Sequence, residues 1–146
     1  MNYVLDSSFC GALIMPDENS DIVNDFFYVL SEDEKIYVPA VFWFEISNLV
    51  TSAVRRNRIV LSEISSLIEL LPEIKINTDF SHGNLYSMNL ANIAARVSIS
   101  SYDAAYAELA IRRKAELGTL DQALATACIN LGVKTVNHFM SNKRKT

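Results

Sequence analysis

Hydrophobic and polar positions alternate between two periods along this chain. Tyr3-Val4-Leu5 is an apolar, β-favouring run that stops at Asp6, Ser7 and Ser8. Such a run predicts a short buried strand that delivers Asp6 to one edge of a sheet. The pattern returns at Ile36-Tyr37-Val38, closed by Pro39, and at Ile74-Lys75-Ile76. It returns again at Leu117–Leu120, which delivers Asp121 as the first run delivers Asp6, and at Val133–Val136. Five strands are therefore predicted.

Between the strands the period lengthens to that of a helix. Phe9, Ala12 and Leu13 predict a short helix ended by Pro16. Ser20–Leu30 carries Ile22, Val23, Phe26, Phe27 and Leu30 on one face, and Ala40–Asn57 carries Phe42, Ile46, Leu49 and Ala53. Leu61–Leu71, ended by Pro72, and Ser81–Val97 predict two more. Ser100 and Asp103 have capping-box spacing and open a helix of small residues, Ala104, Ala105, Ala107 and Ala110. Asp121–Leu131 predicts the last, with Gly132 as its C-cap. Alternating strands and helices predict an α/β fold, a three-layer α/β/α sandwich with a mostly parallel central sheet of about five strands.

Composition narrows this picture. With 146 residues, half of them hydrophobic, the chain suits one domain over residues 1–140, followed by a basic, frayed tail at 141–146. The net charge of -4 excludes a protein that binds nucleic acid by bulk charge alone, so any polyanion is handled locally. Cys10 and Cys128 lie in apolar helical patterns without metal-ligand spacing, as free thiols in a reducing cytosol would. The chain shows no basic leader and no apolar run long enough to span a bilayer, so a cytoplasmic protein without a membrane segment is expected.

The carboxyl ends of parallel strands form the crevice in which open α/β sheets bind ligands, which draws attention to the acids. Asp6 and Asp121 end predicted strands, and Asp103 begins a helix. Taken singly, each has a structural explanation as a capping residue. Glu45 has none, because it lies mid-helix on the flank of the apolar stripe with no basic residue at i+4. Four carboxylates gathered at one crevice would repel one another unless a divalent cation neutralised them. Oxygen-only ligands select Mg²⁺ or Mn²⁺ over zinc, and such a centre suits phosphodiester hydrolysis. A phosphoacceptor receiver domain would need paired acids after the first strand, where Ser7 and Ser8 stand. A nucleotide-binding Rossmann domain would need a glycine-rich first turn, which Asp6-Ser7-Ser8-Phe9 lacks.

At these residues the sequence resembles the PIN-domain ribonucleases, and among them the VapC-type toxins of toxin-antitoxin systems. The resemblance is carried by YVLDSSF at 3–9, VPAVFWFEISNLV at 38–50, SSYDAAYAELA at 100–110 and GTLDQALATAC at 118–128. It implies that Asp6, Glu45, Asp103 and Asp121 are the catalytic acids around Mg²⁺ or Mn²⁺, with Ser7 or Ser8 orienting phosphate or water. It further implies an endoribonuclease leaving a 5′-phosphate and a 3′-hydroxyl, restrained by a small VapB-like antitoxin. Gly118 stands where many relatives carry a larger apolar residue, a packing variation that leaves the acids in place. A PIN-like module that has lost activity and serves as an interaction surface is the competing reading, and the presence of all four acids argues against it.

The residues also suggest partners. Phe42, Trp43 and Phe44 are consecutive on a helix and spread over about 200° of its circumference, more than one core covers. At least one is expected to face another chain, in a homodimer or against the antitoxin, with Trp43→Glu the substitution expected to weaken it. RNA contact is expected from local basic groups, Arg55, Arg56, Arg58, Arg112 and Arg113. For Arg112 and Arg113, complementing the dipole of a helix end competes with that role.

Overall fold

A computed structural model of the chain describes residues 1–136; the expected boundary at 140 and the basic tail lie outside the described residues. The strands are β1 (Asn2–Leu5), β2 (Lys35–Pro39), β3 (Ile76–Asp79) and β4 (Glu116–Gly118), all parallel in the order β3-β2-β1-β4. The helices are α1 (Ser7–Ile14), α2 (Asp21–Val29), α3 (Val41–Arg55), α4 (Ile64–Ile68), α5 (Asn84–Val97), α6 (Ser101–Arg113) and α7 (Gln122–Asn130). This is the expected α/β/α sandwich. Burial explains its strands: Val4 and Leu5 of β1 and Leu117 of β4 are fully covered, as strands sheltered on both faces require.

Three elements differ from the sequence expectation. The fifth strand is reduced to one bridge between Leu117 and Thr135, so the sheet has four strands among the described residues. Gly132, at φ 81°, turns the chain out of α7 just before that bridge. The third strand begins at Ile76 rather than Ile74, because Leu71–Ile74 forms a 3₁₀ turn with Pro72 in its first positions and Lys75 adopts a left-handed conformation. The helix expected over 61–71 is broken into a 3₁₀ turn at Leu61–Glu63 and the short α4. Ser62, Ser65 and Ser66 compete with a helical backbone there, and none of the residues of these two pieces is buried to hold it.

Packing then fixes what the site is built on. Helix α6 lies against β1, β2 and β4 and against α5, and its alanines 104, 105, 107 and 110 are buried where the backbones approach. On α2, Phe26 meets Tyr3, Phe9 and Phe27 edge-on, with centroids 4.9, 5.3 and 5.1 Å apart, which locks α1 and α2 to β1. β4 packs closely at Gly118: a Cβ there would lie 2.5 Å from Leu5 Cδ2, so that side chain would have to shift. Its carbonyl accepts the Asp6 N–H at 3.0 Å, carrying the β1–β4 pairing one residue beyond Leu5.

Candidate acidic site at the ends of the strands

Asp6 leaves β1 and becomes the N-cap of α1, so the structural and the site positions coincide. Its Oδ1 accepts from Phe9 N–H at 2.9 Å and from the Ser8 hydroxyl at 2.7 Å. Its Oδ2 accepts from the Thr119 hydroxyl, just beyond β4. The residue is only 5% exposed. Burial pushes its carboxyl up to about 6, against the lowering pull of those three donors, and the negative charge of Glu45 adds to the rise.

Glu45 is half-buried in the first half of α3, and hydroxyls rather than a cation keep it company. Its Oε2 accepts from Ser7 Oγ at 2.7 Å and from Tyr106 OH at 3.1 Å. Tyr106 belongs to α6, and burial first, then the charges of Glu45 and Asp6, hold its hydroxyl protonated far above the usual range. One turn earlier on α6 stands Asp103, half-buried. Its N–H donates to Ser100 Oγ at 3.0 Å, while the reciprocal bond of a full capping box is absent among the described residues. Burial, and after it the charges of Asp103 and Asp6, push the Cys128 thiol up to about 12.

Asp121 is exposed and caps α7, with Oδ1 accepting from Ala123 N–H at 2.8 Å and Leu124 N–H at 3.1 Å. It is tied to Asp6 indirectly, since its own N–H donates to Thr119 Oγ1 at 2.9 Å. Leu120 N–H likewise donates to Ser8 Oγ at 2.9 Å. Glu45 thus acts on Asp6 through its negative charge, and Thr119 joins Asp6 to the backbone of Asp121; no hydrogen bond ties Asp103 to Asp6 among the described residues. Among the described residues, no three His, Cys, Asp or Glu side chains are arranged to hold one ion. The ligand atoms themselves are the oxygen set that a hard divalent cation takes, and its charge would offset the burial and the Glu45 charge that disfavour the Asp6 carboxylate.

Thr119 and Tyr106 are not among the residues to which the sequence points. Thr119 lies between the fourth strand and Asp121, a fully buried hydroxyl beside a strand-end acid, and that placement is a readable signal. Tyr106, one helical turn after Asp103, shares its face of α6.

Along their helices the basic residues stand apart from the candidate site acids. Arg112 is nine residues along α6 from Asp103, about 14 Å at the helical rise, and Arg55 is about 15 Å along α3 from Glu45. Arg112 forms a two-pronged pair with Asp79, at 2.9 and 3.0 Å, and bonds Glu108 at 2.8 Å. Arg113 lies 3.4 Å from Asp79 and places its guanidinium 4.7 Å from the centre of the Tyr37 ring. Arg58 pairs with Asp17 and Glu18 at 2.7 and 3.0 Å. Arg55 and Arg56 are exposed. The three aromatics divide: Phe42 is fully buried, and Trp43 is half-buried with its indole N–H donating to Thr78 Oγ1 at 2.9 Å. Phe44 is the one turned outward, 77% exposed.

Comparison with known proteins agrees with this architecture. The sequence matches the PIN domain over residues 3–130. No curated protein matches it. Among solved structures, PAE2754 from Pyrobaculum aerophilum is 20% identical and superposes with a TM-score of 0.70 over 100% of this chain and 91% of its own. VapBC-1 from nontypeable Haemophilus influenzae is 17% identical, with a TM-score of 0.64 over 92% and 96%. FitAcB from Neisseria gonorrhoeae is 19% identical, with a TM-score of 0.58 over 91% and 95%. At these identities the structures speak for the fold, and the sequence match speaks for the family: the chain belongs to the PIN-domain family.

Proposed function

We propose that this protein is a Mg²⁺- or Mn²⁺-dependent endoribonuclease and the toxin of a type II toxin-antitoxin pair, with Asp6, Glu45, Asp103 and Asp121 as its acids. One observation carries the reading: a nearly buried aspartate, held by three donors at the end of a parallel strand, has its charged form disfavoured first by burial and then by the charge of a neighbouring glutamate. Proteins keep such a pair for chemistry more readily than for stability. The carboxylates would have to draw together around an ion, with the Ser8, Thr119 and Phe9 donors holding Asp6 in place and Ser7 and Tyr106 holding Glu45. When bound, a divalent ion supplies charge neutralisation for the phosphodiester and a lowered pKa for water.

Membership in a family of nucleases supports hydrolysis, and the motif resemblance to VapC-type toxins supports RNA as substrate and a VapB-like antitoxin as partner. Phe44 supports a partner surface. It lines an apolar groove with Tyr86, Leu90 and the 68% exposed Tyr102. A homodimer or the antitoxin would cover it. A cytoplasmic location is part of this reading; among the described residues no helix is long and apolar enough to cross a membrane. The test is cleavage of RNA by purified protein with Mg²⁺ or Mn²⁺, with and without EDTA, beside Asp6→Asn and Asp103→Asn. Loss of cleavage in EDTA and in both variants is expected; full activity in the variants rejects the assignment.

A further inference from the structure

Tyr106 is 1% exposed and fills the core between α6 and the sheet, a place where phenylalanine would pack as well. Its hydroxyl has a specific task. It crosses to α3 and donates to Glu45 Oε2 at 3.1 Å, where Ser7 Oγ, from the first turn of α1, also donates at 2.7 Å. Both donors meet on one oxygen, and Oε1 accepts no hydrogen bond among the described residues. A glutamate side chain has three rotatable bonds, so a half-buried one with a single anchor would sample several rotamers. Two anchors from different helices select one. Tyr106 also stands three residues after Asp103, on the same face of α6, so any shift of that helix moves both groups together.

We infer that Tyr106 is a positioning residue for Glu45: it fixes the carboxylate through Oε2 so that Oε1 is presented for a divalent cation, in register with the Asp103 that α6 also carries. This deepens the nuclease reading and rests on it. Groups that orient a metal-ligating carboxylate change metal affinity by about 10–100-fold when removed.

The test uses Tyr106→Phe, which keeps the ring and removes the hydroxyl, with thermal unfolding to confirm that the fold is retained. Mn²⁺ affinity is measured by electron paramagnetic resonance. The side-chain rotamer of Glu45 is measured by three-bond couplings in the metal-free protein. The expected result is a rise of about tenfold in the Kd for Mn²⁺, no further rise when the change is made in a Glu45→Gln background, and Glu45 couplings that become rotamer-averaged. Equal Mn²⁺ affinity in variant and wild type, or an equal loss in the Glu45→Gln background, overturns the inference. If the wild type takes up no Mn²⁺, the metal reading fails by itself and the couplings decide: averaging in Tyr106→Phe upholds the positioning role, and unchanged couplings overturn it.

Discussion

Replacing Asp6 by asparagine is expected to make the protein more stable while removing its activity. The carboxyl ionises in the unfolded chain near 3.8 and in the folded protein near 6, a difference of about 2 units. Each unit corresponds to about 1.4 kcal/mol, so the ionised side chain costs the fold about 3 kcal/mol at pH 8. The sign follows from proton binding. Between pH 3.8 and 6 the folded state binds more protons at this site than the unfolded state, so stability falls as pH rises through that window. The amide keeps the Ser8 and Phe9 donors on its oxygen, and the Thr119 hydroxyl can turn to accept from its nitrogen. Asp6→Asn is therefore expected to raise Tm by roughly 6–12 °C at pH 8 and by almost nothing at pH 4. Thr119→Val is expected to act in the opposite direction, removing a donor to the charged form and destabilising more at pH 8 than at pH 5. Scanning calorimetry of the three proteins from pH 4 to 8 is the assay. A variant no more stable than wild type at pH 8, or a gain that does not vary with pH, would refute the argument that Asp6 is held at a cost for a use outside folding.

Gly118→Ala drives a methyl group to 2.5 Å from Leu5 Cδ2 and is expected to cost about 1–3 kcal/mol in chemical denaturation; an unchanged midpoint would show that Leu5 yields freely. Asp79→Asn breaks the pair with Arg112, whose guanidinium holds the Asp79 carboxyl well below the usual carboxylate range, and is expected to cost about 1–2 kcal/mol at pH 7 after solvent screening. Because the folded value is depressed, that contribution is complete above the unfolded value of 3.8 and is lost as pH falls below it, so the cost shrinks in urea titrations toward pH 2. Phe44→Glu leaves the fold within about 0.5 kcal/mol of wild type but is expected to weaken self-association or antitoxin capture; unchanged size-exclusion and pull-down behaviour removes the partner surface.

The layer architecture, the strand-end position of Asp6 and the helix carrying Glu45 were legible in the sequence, because each rests on periodicity and local chemistry. A run of apolar residues ending at a carboxylate reads the same whether the chain is folded or not. So does Ser100 three residues before Asp103, whose N–H the hydroxyl caps as expected. Where local signals are weak, the fold departs from the pattern: the serine-rich stretch before Leu71 does not sustain one helix, and β3 begins only after the turn at Lys75.

Tertiary contact decided the rest. Periodicity placed Phe42, Trp43 and Phe44 around a helix but could not say that the Trp43 indole finds Thr78, 35 residues on, and leaves Phe44 to face outward. The partners of the acids are more distant still: Ser7 and Glu45 are separated by 38 residues, Glu45 and Tyr106 by 61, and Asp6 and Thr119 by 113. The sequence alone determined which groups can be charged and which faces must be hidden. Which hydroxyl meets which carboxylate, and how far burial lifts Asp6, depend on packing across the sheet, because hydrogen bonds and desolvation act through space and local pattern acts along the chain.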